Sequence, residues 1–193
     1  MNSIVNLRDF QEWRGTPTLV LLDLLEGAPD DCSDDQSLDL REALASCRAA
    51  LEHARQRRFP IAFCRQVHSP LFGATVRLPS WIPGFEPRRC EMVFDRQFPS
   101  CYASPEFAEM AECSEGNYVI AGLFGESSCL STAVDAFHRN HRFTYLADAS
   151  ASRGHHGVPA PVMHKSVTSI VALYGKVART RTWVRLTSEK AEV

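Results

Sequence analysis

The sequence predicts an α/β fold: a three-layer, doubly wound, mostly parallel sheet of about six strands flanked by helices, in one domain over residues 1–193. Three observations predict it. Short apolar runs alternate along the chain with amphipathic runs of helical period, the pattern that right-handed strand–helix–strand crossovers require. The first run, TLVLLDLL at 18–25, is almost continuously branched-aliphatic, as expected of a strand buried on both faces of a parallel sheet. No repeat, low-complexity tract or Pro/Gly/Ser linker divides the 193 residues, a length at which folding buries roughly 70 % of the unfolded chain's surface.

The elements follow in order. The first strand carries one charge, Asp23, near its carboxyl end. From Leu38 to Arg58, Leu40, Ala43, Leu44, Cys47, Ala50, Leu51 and Ala54 recur at steps of three and four and define one helical face. Arg55, Arg57 and Arg58 close that helix as a charged, dipole-complementing end. IAFCRQV (61–67) is a second strand. Residues 68–90 hold four prolines and three aromatics without a period and read as a long loop, the kind that often forms a lid. EMVF (91–94) is a third strand. Ser104 and Pro105 fit the N-cap and first position of a helix bearing Phe107, Met110 and Ala111.

NYVIAG (117–122) is a strand closed by glycine, and a helix begins near Ser127 or Ser128. RFTYLAD (142–148) is the next strand. Val167, Ile170, Val171, Tyr174 and Val177 mark a final helix, and TRTWVRL (180–186) a last strand.

Composition narrows the function. Twenty-one basic against 23 acidic side chains give a formal charge of −2, with no basic excess to call for nucleic acid or an anionic membrane. No run approaches the roughly 18 apolar residues of a membrane span, and the amino terminus lacks the pattern of a leader. Seven cysteines, at 32, 47, 64, 90, 101, 113 and 129, cannot all pair, and none has zinc spacing. The expectation is a cytoplasmic protein with reduced thiols.

Ligands of open parallel sheets bind beyond the carboxyl ends of the strands. Three reactive features fall there: Asp23, the pair Asp95–Arg96, and GLFGESSC at 122–129. Cys129 lies near a helix start, where unpaired N–H groups and the dipole stabilise a thiolate, so its pKa is expected to be low. The other six cysteines read as packed thiols. Asp23 could take the thiol proton, Cys129 attack a planar C(=O)–N carbon, and N–H groups near Gly125 and Cys129 hold the oxyanion. A cation at position 96 would keep Asp23 ionised.

These residues resemble the isochorismatase-like cysteine hydrolases, a superfamily that includes nicotinamidases and N-carbamoylsarcosine amidohydrolases. LVLLDLL resembles its first strand, WIPGFEP with EMVFDRQFPSCYASPEF its middle motif, and AGLFGESSCLSTAVDAFHR with LADAS its nucleophile motif. The resemblance implies Asp23 as general base, Cys129 as nucleophile, Arg96 where the family usually has lysine, and a cis peptide at Phe124–Gly125. It implies C–N hydrolysis of a small amide, carbamoyl or ureido compound through a thioester, and a homodimer or homotetramer. Arg96 cannot share a proton as lysine can and presents a planar fork. Asp23 is followed by Leu24–Leu25 rather than by an apolar residue and Gln. The nicotinamidase metal site is reduced to Gln66–Val67–His68, so no metal and no other cofactor are expected.

Around the pocket, His68, Trp81, Tyr102 and Ser128 are candidates for substrate contact. Trp81 and Phe85 alternatively staple the loop to the core, and Ser127 and Ser128 alternatively cap the helix. His155 and His156 lie between glycines in a solvated loop. Two other function classes remain: some relatives hydrolyse a vinyl ether with the acid alone and no cysteine, and the arginine could mark a member that binds without turnover.

Overall fold

The computed structural model describes residues 16–27, 34–67, 78–114 and 116–189. Six strands, β1 (Thr18–Leu22), β2 (Ile61–Gln66), β3 (Met92–Arg96), β4 (Asn117–Gly122), β5 (Arg142–Ser150) and β6 (Lys176–Ala178), form one sheet in the order β3-β2-β1-β4-β5-β6. Every pairing is parallel. Among the described residues four helices connect strands, α1 (Asp34–Gln56), α2 (Pro105–Cys113), α3 (Leu130–His138) and α4 (Ala160–Val171), and a fifth, α5 (Thr180–Glu189), follows β6.

Two apolar cores sandwich the sheet. Leu19, Leu21, Phe63, Val119 and Ala121 meet Cys47, Ala50, Leu51 and Ala54 of α1 and Trp183 of α5. Val20, Leu22, Ala62, Cys64 and Ile120 meet Phe107 and Met110 of α2, Ala133 and Ala136 of α3, and Val167 and Val171 of α4. Alternate strand residues feed opposite faces, which gives the three layers. All five residues of β1 are buried, matching its unbroken apolar run.

Two elements differ from the sequence reading at the carboxyl end. Val177 belongs to a short edge strand, β6, rather than to the preceding helix. Residues 180–186 form α5, not a strand. Their alternation mimics period two, yet the side chains turned inward, Thr180, Trp183, Val184 and Thr187, recur at i, i+3, i+4 and i+7. Asp148 fixes the helix start by accepting both the Thr180 N–H at 2.7 Å and its hydroxyl at 2.9 Å.

The arginine run is also more than a charged end. Arg55 binds Glu91 in bidentate fashion, at 2.7 and 2.9 Å, and so ties α1 to the entry of β3. Ser104 caps α2 as expected, accepting from the Phe107 N–H, with Pro105 in the first turn. Among the described residues, no helix is long and apolar enough to cross a membrane.

Candidate active site

Strand order reverses between β1 and β4, and a crevice opens at such a switch point beyond the carboxyl ends of the strands. Asp23 follows β1 directly and has a left-handed backbone, φ 52°, a conformation that costs a non-glycine residue about 1–2 kcal/mol and concentrates at functional sites. Its N–H donates to the Cys64 carbonyl at 2.9 Å, which anchors the bend to β2. Across the crevice, Gly122 ends β4 where no other residue fits: a Cβ would lie 2.2 Å from the Leu22 carbonyl oxygen, and φ is +133°.

Period two then separates Asp95 from Arg96. Asp95 turns to the α1 face and pairs with Arg65 at 2.6 Å, whereas Arg96 turns to the other face and is 2 % exposed. The Arg96 Nη2 forms an ion pair with Asp23 Oδ2 and donates to Ser128 Oγ at 3.0 Å. Ser128 Oγ donates to the same Asp23 oxygen at 2.6 Å. Nη1 of Arg96 is held by the Phe98 carbonyl at 2.8 Å and, at 3.4 Å, by the Gln66 side-chain oxygen. The second oxygen of Asp23 accepts the Gln66 backbone N–H at 2.8 Å. Asp23, Arg96 and Ser128 therefore form a closed triangle, and all three are essentially buried.

Cys129 does not enter that triangle. Its thiol donates to the Leu123 carbonyl at 3.7 Å, among Ala133, Ala136 and the rest of the core under α3. Where a low thiol pKa was expected, burial, followed by the nearby Asp23 charge, pushes the Cys129 thiol above the ordinary thiol value. The physical reason is helical phase. Gly125–Cys129 form one wide π-type turn running straight into α3, so neighbouring side chains point in different directions: the Ser128 hydroxyl reaches Asp23 while the Cys129 thiol reaches the Leu123 carbonyl. Cys129, Ala133 and Ala136 share the apolar stripe; Ser128 and Thr132 share a buried polar one, where Thr132 Oγ1 accepts the Cys101 N–H at 3.0 Å. That i, i+4 hydroxyl pair was the signal in the sequence for Ser128.

The turn itself departs from expectation. Among the described residues no peptide bond is cis, so Phe124–Gly125 is trans, and Phe124 makes the bend with φ 55°. Its carbonyl accepts the N–H groups of Ser127, Ser128 and Cys129 at 3.0, 2.8 and 3.4 Å, while the Gly125 N–H serves Ala151 at 2.8 Å. The oxyanion donors expected at 125 and 129 are thus occupied, Cys129 by the longest bond of the set. Arg153 braces the turn through Glu126 at 3.1 Å and over the Phe124 ring at 4.3 Å.

Of the other candidates, Trp81 stacks edge-on against Phe63, lies under the Arg65 guanidinium on the α1 face and pairs through its backbone with Leu25, two residues after Asp23. Phe85 is likewise buried in that core. Tyr102 points toward the amino ends of the strands, its hydroxyl 2.6 Å from both Tyr118 Oη and His141 Nδ1. The Tyr102 hydroxyl is thus engaged at the opposite end of the sheet from the triangle. His68 lies outside the described residues. His155 and His156 form an exposed turn with their rings 4.0 Å apart. Among the described residues, no group of three or more His, Cys, Asp or Glu side chains is placed to hold a metal ion.

Fold and site together define an α/β domain with a buried acid–arginine–hydroxyl triangle at its switch point. The chain belongs to the isochorismatase family: the isochorismatase domain matches residues 17–172. Its members are hydrolases. No functionally curated protein matches the sequence. Solved structures share the fold. An isochorismatase from Pseudomonas putida KT2440 is 22 % identical with a TM-score of 0.72, over 93 % of this chain and 99 % of that one. A cysteine hydrolase from Pseudomonas syringae pv. phaseolicola is 15 % identical (TM-score 0.72; 88 % and 91 % covered). N-carbamoylsarcosine amidase from Thermoplasma acidophilum is 19 % identical (TM-score 0.66; 86 % and 96 % covered).

Proposed function

We propose that this hydrolase cleaves the C–N bond of a small amide, carbamoyl or ureido compound, with the Ser128 hydroxyl rather than a thiol as nucleophile. One observation carries the reading: Ser128 Oγ lies 2.6 Å from a carboxylate oxygen of Asp23, inside hydrogen-bond reach for general-base activation, while the neighbouring thiol is turned into the core. The likeness in fold to a carbamoyl-cleaving amidase supports the bond type.

Asp23 accepts the Ser128 proton as Oγ bonds to the carbonyl carbon. Arg96 Nη2, which touches both Asp23 and Ser128, compensates the negative charge as it moves between them. The Cys129 N–H is the donor most easily redirected to the developing oxyanion, because the Ser128 N–H already serves the Phe124 carbonyl by a shorter bond. Asp23 then gives the proton to the leaving nitrogen as the C–N bond breaks, leaving an ester on Ser128. Water adds to that carbon, its proton passing to Asp23 and back to Ser128, and the free acid departs.

The absence of a thiol from the triangle favours a second reading, acid-assisted vinyl ether hydrolysis. It fits the hydrogen bonds less well: two of the three partners of the Asp23 carboxylate, the guanidinium and the Gln66 N–H, are donors only, an arrangement suited to receiving a proton from Ser128 rather than supplying one. Ammonia or amine release from a panel of small primary amides, carbamoyl and ureido compounds tests the proposal. It stands if Ser128→Ala loses turnover at least about a thousandfold while Cys129→Ala keeps it, the scale lost with a catalytic nucleophile. It fails if the dependence is reversed, or if Ser128→Ala is active and only Asp23→Asn is dead.

A further inference from the structure

We infer that Gln66 is a positioning residue that sets the orientation of the Arg96 fork, an inference resting on the proposed role of Ser128. A guanidinium has two outward branches, and a buried one needs acceptors for both. Nη2 is committed to Asp23 and Ser128. The other branch, Nη1, has the Phe98 carbonyl at 2.8 Å and the Gln66 Oε1 at 3.4 Å. The Gln66 side chain is turned toward Arg96 by its own Nε2, which donates to the Gln97 carbonyl at 3.2 Å, and its backbone N–H holds the far oxygen of Asp23 at 2.8 Å. One residue at the end of β2 thus touches both partners of the ion pair. Arg96 Nε is buried without a hydrogen-bond partner, so the plane of the fork is fixed from its two tips alone.

A neutral acceptor is required at that point. A carboxylate there would compete with Asp23 for the guanidinium through a stronger, charge-assisted bond and draw Nη2 away from Ser128. An apolar side chain would leave Nη1 to the Phe98 carbonyl alone.

The test compares Gln66→Leu and Gln66→Glu in the full chain. Burst release of p-nitrophenolate from p-nitrophenyl acetate reads acylation. The expected order is parent, then Gln66→Leu about tenfold slower, the scale of one neutral hydrogen bond, then Gln66→Glu about a hundredfold slower, the scale of one to a charged group. Burst amplitude and KM stay near the parent's. A merely structural glutamine gives the opposite order, since the nearly isosteric Glu would be tolerated better than Leu, and that order overturns the inference. The guanidinium 15N resonances of Arg96, assigned by their loss in Arg96→Lys, supply a readout that needs no turnover. They shift in both variants if Gln66 orients the fork. Unchanged resonances in both overturn it, whether or not Ser128 is acylated.

Discussion

Ser128 and Asp23, 105 residues apart in sequence, are joined by a 2.6 Å hydrogen bond from hydroxyl to carboxylate, and Arg96 closes the triangle from a third strand end. Each corner comes from a different β-strand terminus or the turn after it, so the site exists only when β1, β3 and β4 are assembled. A local change in any of these strands is therefore read out at the hydroxyl.

The ion pair carries structural weight as well as chemistry. The side chains of Arg96 and Asp23 are 0 % and 1 % exposed, and removing one partner of a buried pair leaves an uncompensated charge. Arg96→Met is expected to destabilise the fold by about 3–5 kcal/mol. Arg96→Lys, which keeps the charge and loses the fork, costs less. Urea unfolding of the two variants beside the parent measures both.

Thiol reactivity follows burial rather than helix position. Cys90 and Cys113 are exposed, whereas Cys129 is buried with its pKa pushed well up. Iodoacetamide at neutral pH should alkylate Cys90 and Cys113 in the native protein and spare Cys129 until the protein unfolds. Peptide mapping of a time course checks this; early labelling at Cys129 would show an activated thiol.

The end of β4 tolerates no side chain. Gly122→Ala places a methyl against the Leu22 carbonyl at a backbone φ of +133°, one residue before Asp23 on the neighbouring strand. A loss of about 1–3 kcal/mol is expected from the strained backbone and the close approach. Because the displaced carbonyl adjoins Asp23, the burst rate should fall with the melting temperature.

His53 gives stability a pH dependence whose sign is fixed by its surroundings. Burial, and then the Arg57 charge, lower its pKa below the ordinary imidazole value, and Thr187 lies 2.8 Å from its ring nitrogen. The unfolded chain therefore binds the proton first as pH falls. Stability is fully present above about pH 6.5 and declines as pH drops below it toward the lower folded pKa. In His53→Gln that part of the slope in unfolding free energy between pH 7 and 5 should vanish, as followed by denaturant titration at each pH.

Much of this fold was legible because burial on both faces leaves an unmistakable mark: Thr18–Leu22 and Asn117–Gly122 are apolar runs bounded by turn residues, and α1 shows an uninterrupted inward stripe from Ala43 to Ala54. The last element was not, because Thr-Arg-Thr-Trp-Val-Arg-Leu satisfies two periods at once and the capping carboxylate, Asp148, lies 32 residues away. In the site, Asp23 and Arg96 were legible as charges at strand ends. Cys129 is the more reactive residue type, but orientation depends on the phase of the π-type turn, in which neighbouring residues point in different directions. The Ser128–Thr132 spacing held that phase; residue chemistry alone did not.

Whether Ser128 Oγ is the nucleophile is read by treating the native protein with an alkyl fluorophosphonate, which a base-activated hydroxyl attacks at phosphorus with loss of fluoride, and mapping the adduct by peptide mass spectrometry. One adduct is expected, on Ser128, formed by the parent and by Cys129→Ala and lost in Asp23→Asn. An unmodified Ser128 in a parent protein that hydrolyses amides, with turnover abolished by Cys129→Ala, would contradict it.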